Sequence, residues 1–249
     1  MNPLAAGLAA LLFKRAFPLY FALYSAYKKL TGRELQATLD SLVEPGMTVV
    51  DIGANVGYFT RRFAGRVGGN GRVYAFEPDP ENFARLKRRL SHCPNTVLSS
   101  AAASDVTGRG QLHISPDLNV DHRIYDAGAG RDVLSIQVTT LDDAIPENLK
   151  VDVIKIDVQG AEWRVLAGAQ AVLAKNPHVV IVMEFWPHGI AASGHDPARM
   201  LDDIENLGFS IQTLGTPFQR SELAGLAGRK DWYTDLVLRR NAVPAVAEC

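Results

Sequence analysis

A glycine-containing segment between an apolar run and a helical pattern constrains the fold of this chain more than any other feature. The run at 47–52 is Met-Thr-Val-Val-Asp-Ile, which predicts a buried strand, and the pattern after residue 56 predicts a helix. Gly53 and Gly57 lie between them, where glycine lets the backbone turn tightly and lets a ligand approach the main chain. A strand, a glycine turn and a helix in this order are typical of an open α/β sheet.

A second signal lies at the end of the next predicted strand. Residues 72–76 are mostly apolar, and Glu77 follows them, 24 residues after Gly53. An acid at the tip of the second strand is placed to accept hydrogen bonds from both ribose hydroxyls of a bound nucleoside. The two signals together predict a nucleoside-containing cofactor.

The spacing of the loop distinguishes two kinds of nucleoside cofactor. Dinucleotide-binding sheets use Gly-x-Gly-x-x-Gly to bring the backbone onto a pyrophosphate. This chain has Asp51, Gly53, Asn55 and Gly57 at alternate positions and no basic residue in the loop. The Asp51 carboxylate would repel a phosphate and suits a ligand that carries an ammonium group, such as the amino-acid end of S-adenosylmethionine.

Strand and helix patterns alternate along the rest of the chain, which predicts a doubly wound, Rossmann-like α/β sheet with right-handed crossovers. The predicted strands are 48–52, 72–76, 95–101, 111–115, 133–141, 151–157, 179–185, 209–214 and 233–238. The predicted helices are 35–44, 56–66, one that begins at Pro80 with Asp79 as its N-cap, 161–174 and 197–207.

Composition argues against several other classes of protein. The net charge of −1 gives no overall attraction to nucleic acid, and the basic residues at 85–89 are expected to form a solvated helix face. The two cysteines, Cys93 and Cys249, have neither the spacing of metal ligands nor the pattern of a disulfide framework. We therefore expect a reducing, cytoplasmic compartment.

The first 33 residues differ in charge from the rest of the chain. They contain Lys14, Arg15, Lys28, Lys29 and Arg33 and no acid, among many leucines and aromatic residues. Their uncharged stretches are too short to span a bilayer, which takes about 20 apolar residues, and no positive charge precedes the apolar run as in a signal peptide. Two interpretations remain: helices that pack on the α/β domain and cover part of its site, or a basic amphipathic segment that contacts an anionic membrane surface or a partner.

Three segments taken together resemble the FkbM family of S-adenosylmethionine-dependent O-methyltransferases. They are residues 50–60, 73–79 and, above all, 152–162 with 165–168. The family usually has a glutamate where this chain has Gln159, which removes one charge near the site. The resemblance implies a seven-stranded, mostly parallel sheet whose last strand is antiparallel and inserted beside its neighbours, with S-adenosylmethionine as the cofactor.

The resemblance covers about residues 42–215 and leads to a division of the chain. We expect an N-terminal helical appendage at 1–41, a class I methyltransferase domain at 42–243 and a tail at 244–249. The acceptor it implies is a hydroxyl of a small molecule, a sugar or a lipid-linked compound. The methylated atom, oxygen or nitrogen, and the oligomeric state stay open.

The resemblance also assigns residues to the cofactor. Those expected to hold its methionine part are Asp51, Gly53, Ala54, Asn55, Gly57 and Tyr58. Glu77 and Pro78 are expected at the ribose. Ser104 and Asp105 follow the third strand, where they either bond the adenine edge or form a surface turn.

A hydroxyl acceptor has a high pKa and must lose its proton during or after attack, so a base within hydrogen-bond reach is expected. The candidates are Asp157, Glu184 and His122. Asp157 and Glu184, at the ends of neighbouring strands, are alternatively placed to hold a divalent cation that would acidify the hydroxyl. Two carboxylates alone do not define a metal site, and we assign none.

A long loop at 116–132 contains Asp121 and Arg123, which we expect to bind the acceptor, with the loop as a lid. The alternative is that Arg123 pairs with an acid of its own loop. Trp186 and His188 follow the strand that ends at Glu184 and are expected to line the acceptor pocket.

Two other functions compete with methyl transfer. The first is an NAD-dependent oxidoreductase, which the loop pattern disfavours. The second is a non-catalytic protein that keeps the fold as a module for a membrane or a partner, and its support is the basic, apolar segment at 1–33.

Overall fold

The computed structural model describes residues 3–115, 121–126, 128 and 130–240, with side chains from residue 7 onward. The helices are α1 Pro3–Arg15, α2 Phe17–Thr31, α3 Arg33–Leu42, α4 Tyr58–Val67, α5 Pro80–Arg89, α6 Leu141–Ala144, α7 Glu162–Ala167, α8 Gln170–Lys175, α9 Pro187–Ala192, α10 Pro197–Asn206 and α11 Leu223–Ala227, and a 3-10 turn spans Arg220–Glu222. The strands are β1 Thr48–Ile52, β2 Arg72–Phe76, β3 Thr96–Ser99, β4 Ala102–Ala103, β5 Gly108–Ile114, β6 Asp132–Thr139, β7 Val153–Ile156, β8 Val180–Phe185, β9 Phe209–Leu214 and β10 Thr234–Arg240. The predicted tail at 244–249 lies outside the described residues.

Seven of these strands form one sheet in the order β3-β2-β1-β7-β8-β10-β9. The neighbours β3, β2, β1, β7 and β8 are parallel, while β10 is antiparallel to both β8 and β9. The predicted α/β class, the seven strands and the inserted antiparallel last strand are confirmed. The strand order reverses between β1 and β7, so the carboxyl ends of these strands flank a crevice where ligands bind in such folds.

The central strands are buried on both faces, and successive side chains enter two different cores. Val49, Val153 and Val182 pack with α3 and α4 on one face. Their neighbours in sequence, Ile154 and Ile181, pack with α7, α8 and α10 on the other. The sheet is therefore a middle layer between two helical layers, which holds the strand ends in fixed relative positions.

The predicted strands at 111–115 and 133–141 do not join the main sheet. They correspond to β5 and β6, which pair antiparallel with each other and form a separate three-stranded sheet with β4. The predicted strand 95–101 was too long, because β3 ends at Ser99 and Ala102–Ala103 pairs with β6 instead. This small sheet carries the loop that leads to Asp121.

The predicted helix 161–174 was wrong as a single helix. It is broken into α7 and α8 at Gly168 and Ala169. A Cβ at Gly168 would lie 2.0 Å from the carbonyl oxygen of Ser104, so the chain needs a glycine where it passes the end of β4. The short helices α6, α9 and α11 were not predicted, since segments of four to six residues have little periodicity.

Helices α1 and α2 pack against the glycine loop and against α5. Phe13 and Tyr20 are buried with Val56 of the loop. The expectation that the basic face of α5 is solvated was wrong for two of its residues. The Arg85 guanidinium lies 4.2 Å from the ring centre of Phe13, and the Arg89 guanidinium lies 3.4 Å from that of Phe21.

The N-terminal segment thus packs on the α/β domain, as the first of the two interpretations expected. Cation–π contacts of this kind hold a charged side chain against an apolar helix. In the part of the chain that the structure describes, no helix has the length and hydrophobicity needed to cross a membrane. The boundary proposed at residue 42 stays a prediction, and Leu39 just before it is fully buried in the core that contains Val49.

We predict that Gly53→Ala destabilises the protein more than Gly46→Ala does. Both glycines have positive φ, +77° and +85°, so alanine costs about 1–2 kcal/mol at either position. A Cβ at Gly53 would also lie 1.9 Å from the backbone carbonyl oxygen of Asp157, whereas nothing lies within 4 Å at Gly46. The extra crowding is expected to add about 1–3 kcal/mol. Urea unfolding of the two variants measures the difference, and equal losses would contradict the close contact.

Candidate active site

A cavity of about 1060 Å³ opens at the carboxyl ends of β1, β2, β7 and β8. Its walls are the glycine loop, the strand ends, helices α1 and α2, and the segment around residues 121–131. The predicted site residues that line it are Gly53, Ala54, Asn55, Tyr58, Glu77, Pro78, Asp121, His122, Arg123, Asp157, Glu184, Trp186 and His188. Asp51, Gly57, Ser104 and Asp105 do not line it.

The backbone N–H groups of the glycine loop are engaged within the protein. Those of Gly53 and Ala54 donate to the carbonyl oxygen of Phe76, both at 3.0 Å. That of Asn55 donates to Glu77 Oε2 at 2.7 Å, while those of Val56 and Gly57 donate within the loop. A pyrophosphate site depends on free loop N–H groups, so this loop has little to offer one.

Glu77 is buried at the end of β2 and lines the cavity beside the loop. Its two oxygens accept hydrogen bonds from the backbone N–H groups of Asn55 and Asp79, at 2.7 and 3.0 Å. Burial raises the pKa of Glu77 to about 7, although these N–H groups oppose the shift. The carboxyl therefore connects the ends of β1 and β2, and its remaining acceptor capacity is available to hydroxyl groups.

A buried lysine that the sequence analysis missed lies between two of the predicted acids. Lys155 Nζ is 3.6 Å from Asp51 Oδ1 and 3.6 Å from Asp157 Oδ2. Asp51 is fully buried, and its other oxygen accepts a hydrogen bond from the Thr60 hydroxyl at 2.6 Å. Burial raises the pKa of Asp51 although Lys155 opposes the shift, and the pKa of Lys155 is raised because the two carboxylates outweigh its burial.

The amide of Gln159 joins the carboxyl groups at the ends of β7 and β8. Its Nε2 donates to Asp157 Oδ1 at 2.9 Å and to Glu184 Oε2 at 3.0 Å. Gln159 has a φ of +57°, a left-handed conformation that is uncommon for a residue with a side chain. Glu162 supports this turn, since its Oε1 accepts from the N–H groups of Val158 and Gly160.

The two bridged carboxyl groups differ in their tendency to ionise. Burial alone would raise the pKa of Asp157, but Lys155, Lys28 and the Gln159 amide outweigh it and hold that pKa below its ordinary value. Burial, followed by the charge of Asp157, raises the pKa of Glu184 well above its ordinary value. Of the two carboxyl groups, Asp157 therefore ionises more readily, and Glu184 holds a proton more readily.

His122 is held at the end of β2, beside Asp79. Its Nδ1 accepts a hydrogen bond from the backbone N–H of Ser115 at 3.1 Å, and its Nε2 lies 3.9 Å from Asp79 Oδ2. Burial lowers its pKa, although the nearby acids oppose the shift. Neutral His122 then carries its proton on Nε2, so in this arrangement neither nitrogen has a lone pair free for an acceptor's proton.

Both expectations for Arg123 find support in its surroundings. Its guanidinium pairs with Asp121 at 2.7 Å within its own loop, and Asp121 also pairs with Arg131 at 2.6 Å. The same guanidinium lies 4.8 Å from the ring centre of Trp186 and lines the cavity. Two arginines share one carboxylate here, and a second acid of the segment, Asp126, also lines the cavity, so the formal charges of these four residues balance.

Trp186 and His188 are fixed by backbone carbonyl groups. Trp186 Nε1 donates to the carbonyl oxygen of Lys230 at 3.2 Å, and His188 Nδ1 lies 2.9 Å from the carbonyl oxygen of Ala227. Since a carbonyl only accepts, His188 carries its proton on Nδ1 and leaves Nε2 as the acceptor nitrogen of neutral imidazole.

Ser104 and Asp105 lie outside the cavity. The Ser104 hydroxyl donates to Asp105 Oδ1 at 2.9 Å, and the same oxygen is 3.3 Å from the Arg164 guanidinium. Ser104 is buried, which does not suit a surface turn, and both expected roles, the turn and the contact with the adenine, stay predictions. In their neighbourhood Ala102 and Ala103 line the cavity instead.

The second helix contributes residues that the sequence analysis did not assign to the site. Tyr24 and Lys28 of α2 line the cavity, and the Tyr24 ring makes an edge contact with Tyr58 at 6.0 Å. Burial raises the pKa of Tyr24. Within the described residues, no group of three or more His, Cys, Asp or Glu side chains is arranged to hold a metal ion.

We predict that Lys155→Gln lowers the free energy of unfolding by about 3 kcal/mol or more, because it leaves buried carboxylates without a countercharge. In the variant the pKa values of Asp51 and Asp157 rise. As pH falls, these carboxylates of the folded state therefore bind protons and lose their unbalanced charge, which restores part of the free energy of unfolding. The deficit against wild type is therefore larger at pH 8 than at pH 5.

The matched control is Lys175→Gln, which breaks an exposed pair with Glu147 of 2.9 Å. We expect little change in stability there. Urea titrations at both pH values test the pair of variants. A Lys155→Gln deficit that is small, or that does not depend on pH, would contradict the role of Lys155 as a buried countercharge.

Comparison with known proteins identifies the family. A family model described as methyltransferase FkbM domain matches residues 51–211, more than half of the chain. The chain is 30% identical to 2-O-methyltransferase NoeI of Sinorhizobium fredii, with 60% of this chain and 68% of the relative covered. It is 27% identical to 31-O-demethyl-FK506 methyltransferase FkbM of Streptomyces tacrolimicus, with 76% and 82% covered. It is also 27% identical to hexuronic acid methyltransferase AglP of Haloferax volcanii, with 53% of each covered.

Solved structures agree on the fold. A protein of Clostridium thermocellum assigned as an rRNA methylase matches with a TM-score of 0.54 at 13% identity, covering 84% of this chain and 97% of its own. A protein of Streptococcus mutans assigned as a methyltransferase, solved with SAH, matches with a TM-score of 0.52 at 9% identity, covering 84% and 98%. With the family match and the glycine loop, Glu77 and Asp157 around one cavity, this chain belongs to the FkbM family of S-adenosylmethionine-dependent methyltransferases.

Proposed function

We propose that this methyltransferase transfers the methyl group to a hydroxyl oxygen of a small-molecule, sugar or lipid-linked acceptor. The observation that carries the proposal is the Asp157 carboxylate at the cavity wall, which Lys155 and the Gln159 amide hold beside Glu184 and whose pKa they keep below its ordinary value. A hydroxyl that attacks a methyl group must give up a proton, and a positioned carboxylate can take it.

The residues around the glycine loop fit S-adenosylmethionine. When bound, that cofactor supplies a methyl group on a positively charged sulfonium. Glu77 offers acceptor capacity for the ribose hydroxyls, and Gly53, Ala54 and Asn55 form the wall next to it. The methionine ammonium group suits the negative charge of Asp157 at the cavity wall, while Asp51 lies buried behind the wall with Lys155 as its countercharge.

Asp157 acts as the base in this proposal, and the neighbouring groups maintain its charge. Lys155 stabilises the ionised form at 3.6 Å, and the Gln159 amide donates to it. Glu184 accepts the other hydrogen bond of the Gln159 amide, so its role in this proposal is to orient Gln159 and the acceptor. His122 has both nitrogens engaged, and we no longer favour it as the base.

By their names, three relatives are a 2-O-methyltransferase, a methyltransferase of 31-O-demethyl-FK506 and a hexuronic acid methyltransferase. They support an acceptor with several hydroxyl groups. The Arg123 guanidinium at the cavity wall suits an acceptor that also carries an acidic group. The engaged N–H groups of the glycine loop argue against the alternative of an NAD-dependent oxidoreductase.

We predict that Glu77→Gln weakens the binding of S-adenosylhomocysteine about 10- to 100-fold, since hydrogen bonds to a charged group contribute about 1.5–3 kcal/mol. The control is Glu81→Gln on the first turn of the following helix, α5, where the Glu81 side chain is half-exposed and pairs with Arg85. Calorimetric titration measures both, with NADH titrated in parallel. Unchanged affinity in Glu77→Gln, or tight binding of NADH, would contradict the assignment.

We further predict that replacing Asp157 or Glu184 with the corresponding amide affects kcat to very different extents. Asp157→Asn removes the base and is expected to lower kcat about 100- to 10,000-fold. Glu184→Gln puts a neutral group of similar shape in place of the carboxyl whose pKa is raised, and it is expected to change kcat little. Transfer of a tritiated methyl group to an acceptor found by screening sugars, hexuronic acids and lipid-linked glycans provides the assay.

The outcomes distinguish the possible roles of these carboxyl groups. A larger loss in Glu184→Gln than in Asp157→Asn would make Glu184 the base. If both variants retain wild-type kcat, proton removal by a carboxylate is not part of the rate-limiting chemistry, and alignment of the reactants carries the catalysis.

A further inference from the structure

Helices α1 and α2 have apolar side chains on two sides. One side packs inward through Phe13, Tyr20 and neighbouring rings onto the glycine loop and α5. The other side, which we call the outer face, consists of Leu8, Leu11, Leu19, Leu23, Tyr27 and Leu30. These six residues are the large apolar side chains of α1 and α2 that are more than half exposed among the described residues.

The outer face is a stripe and not a scatter of positions. On α2 the residues Leu19, Leu23, Tyr27 and Leu30 are spaced by four, four and three, which places them on one side of the helix. Isolated exposed leucines are common on protein surfaces, but a continuous apolar stripe indicates a surface that another apolar phase covers.

Charge indicates which apolar phase covers the outer face. Lys14, Arg15, Lys29 and Arg33 are exposed on or directly after these helices. The sequence has no acid before Glu34, so no negative charge within the segment neutralises them. A leucine stripe flanked by exposed cations matches the surface of an anionic lipid bilayer, which accepts apolar side chains below the headgroups and attracts cations at them.

The cavity opens on this same surface. Leu8, Leu23 and Tyr27 are 57%, 55% and 61% exposed, and they also line the cavity. The apolar stripe is therefore continuous with the cavity mouth.

We propose that the outer face of α1 and α2 is a docking surface for an anionic lipid membrane, which the protein contacts without crossing it. The proposal goes beyond methyl transfer and does not depend on which atom of the acceptor is methylated. It also gives the segment at 1–33 both of the roles that its sequence suggested, because the inner side covers the site while the outer side meets the bilayer.

Cosedimentation of the full chain with lipid vesicles tests the proposal. We expect binding to vesicles of phosphatidylcholine mixed with phosphatidylglycerol and much weaker binding to phosphatidylcholine alone. Leu19→Glu combined with Leu30→Glu is expected to lower the partition coefficient at least about tenfold. Neither leucine lines the cavity. Lys14→Gln combined with Lys29→Gln is expected to lower it about fivefold for each charge removed.

The matched control is Val97→Glu combined with Val106→Glu, which changes two exposed valines on other elements. Melting curves and S-adenosylhomocysteine binding establish that each variant is folded and that the cofactor site is intact, separately from the vesicle result. The proposal is overturned if the wild-type chain ignores anionic vesicles or if the leucine variant binds them as well as the valine control. It is also overturned if ultracentrifugation reveals a dimer that only the leucine variant abolishes, since the face would then join two copies of this chain.

Discussion

The carbonyl group of Asp157 rests against the Cα of Gly53, and the arrangement of the whole site depends on this contact. No side chain fits between them, because a Cβ would come within 1.9 Å of the carbonyl oxygen. The loop after β1 is consequently held to the end of β7, while its N–H groups hold it to Phe76 and Glu77 at the end of β2. Three strand ends thus form one rigid floor before any ligand binds.

This close packing of strand ends also brings charged side chains together where little water reaches them. Asp51 and Asp157 lie at neighbouring strand ends, and a single ammonium group, that of Lys155, reaches both. No cation balances Glu184 as closely, and burial together with the charge of Asp157 raises the pKa of that third carboxyl, which shares the Gln159 amide with Asp157. The glutamine that departs from the family's usual glutamate is therefore the residue that joins two carboxyl groups whose pKa values are shifted in opposite directions. A glutamate at this position would require a different distribution of protons.

Local sequence patterns were sufficient to predict strands and helix caps. They were insufficient to predict which side chains of distant segments contact each other. Apolar runs bounded by glycine predicted β1, β2 and β9 to the residue, and Asp79 was recognised as the cap of α5. The antiparallel β10 came from the family resemblance. The pairing of Lys155 was missed, although a lysine in a strand covered on both faces must find a countercharge. The partners of Arg85 and Arg89 lie more than 60 residues earlier in the chain, where no local pattern connects them.

The two sides of α1 and α2 are held by interactions of different kinds. The inner side packs through rings and through guanidinium groups stacked on Phe13 and Phe21, in contacts that water reaches poorly. The cations on the outer side are exposed, so dissolved ions screen their attraction over about 10 Å at 0.1 M. Ionic strength therefore weakens the electrostatic attraction of the outer side and leaves the packing of the inner side nearly unchanged. A rise in salt concentration would detach the protein from an anionic surface while the roof of its cavity stays closed.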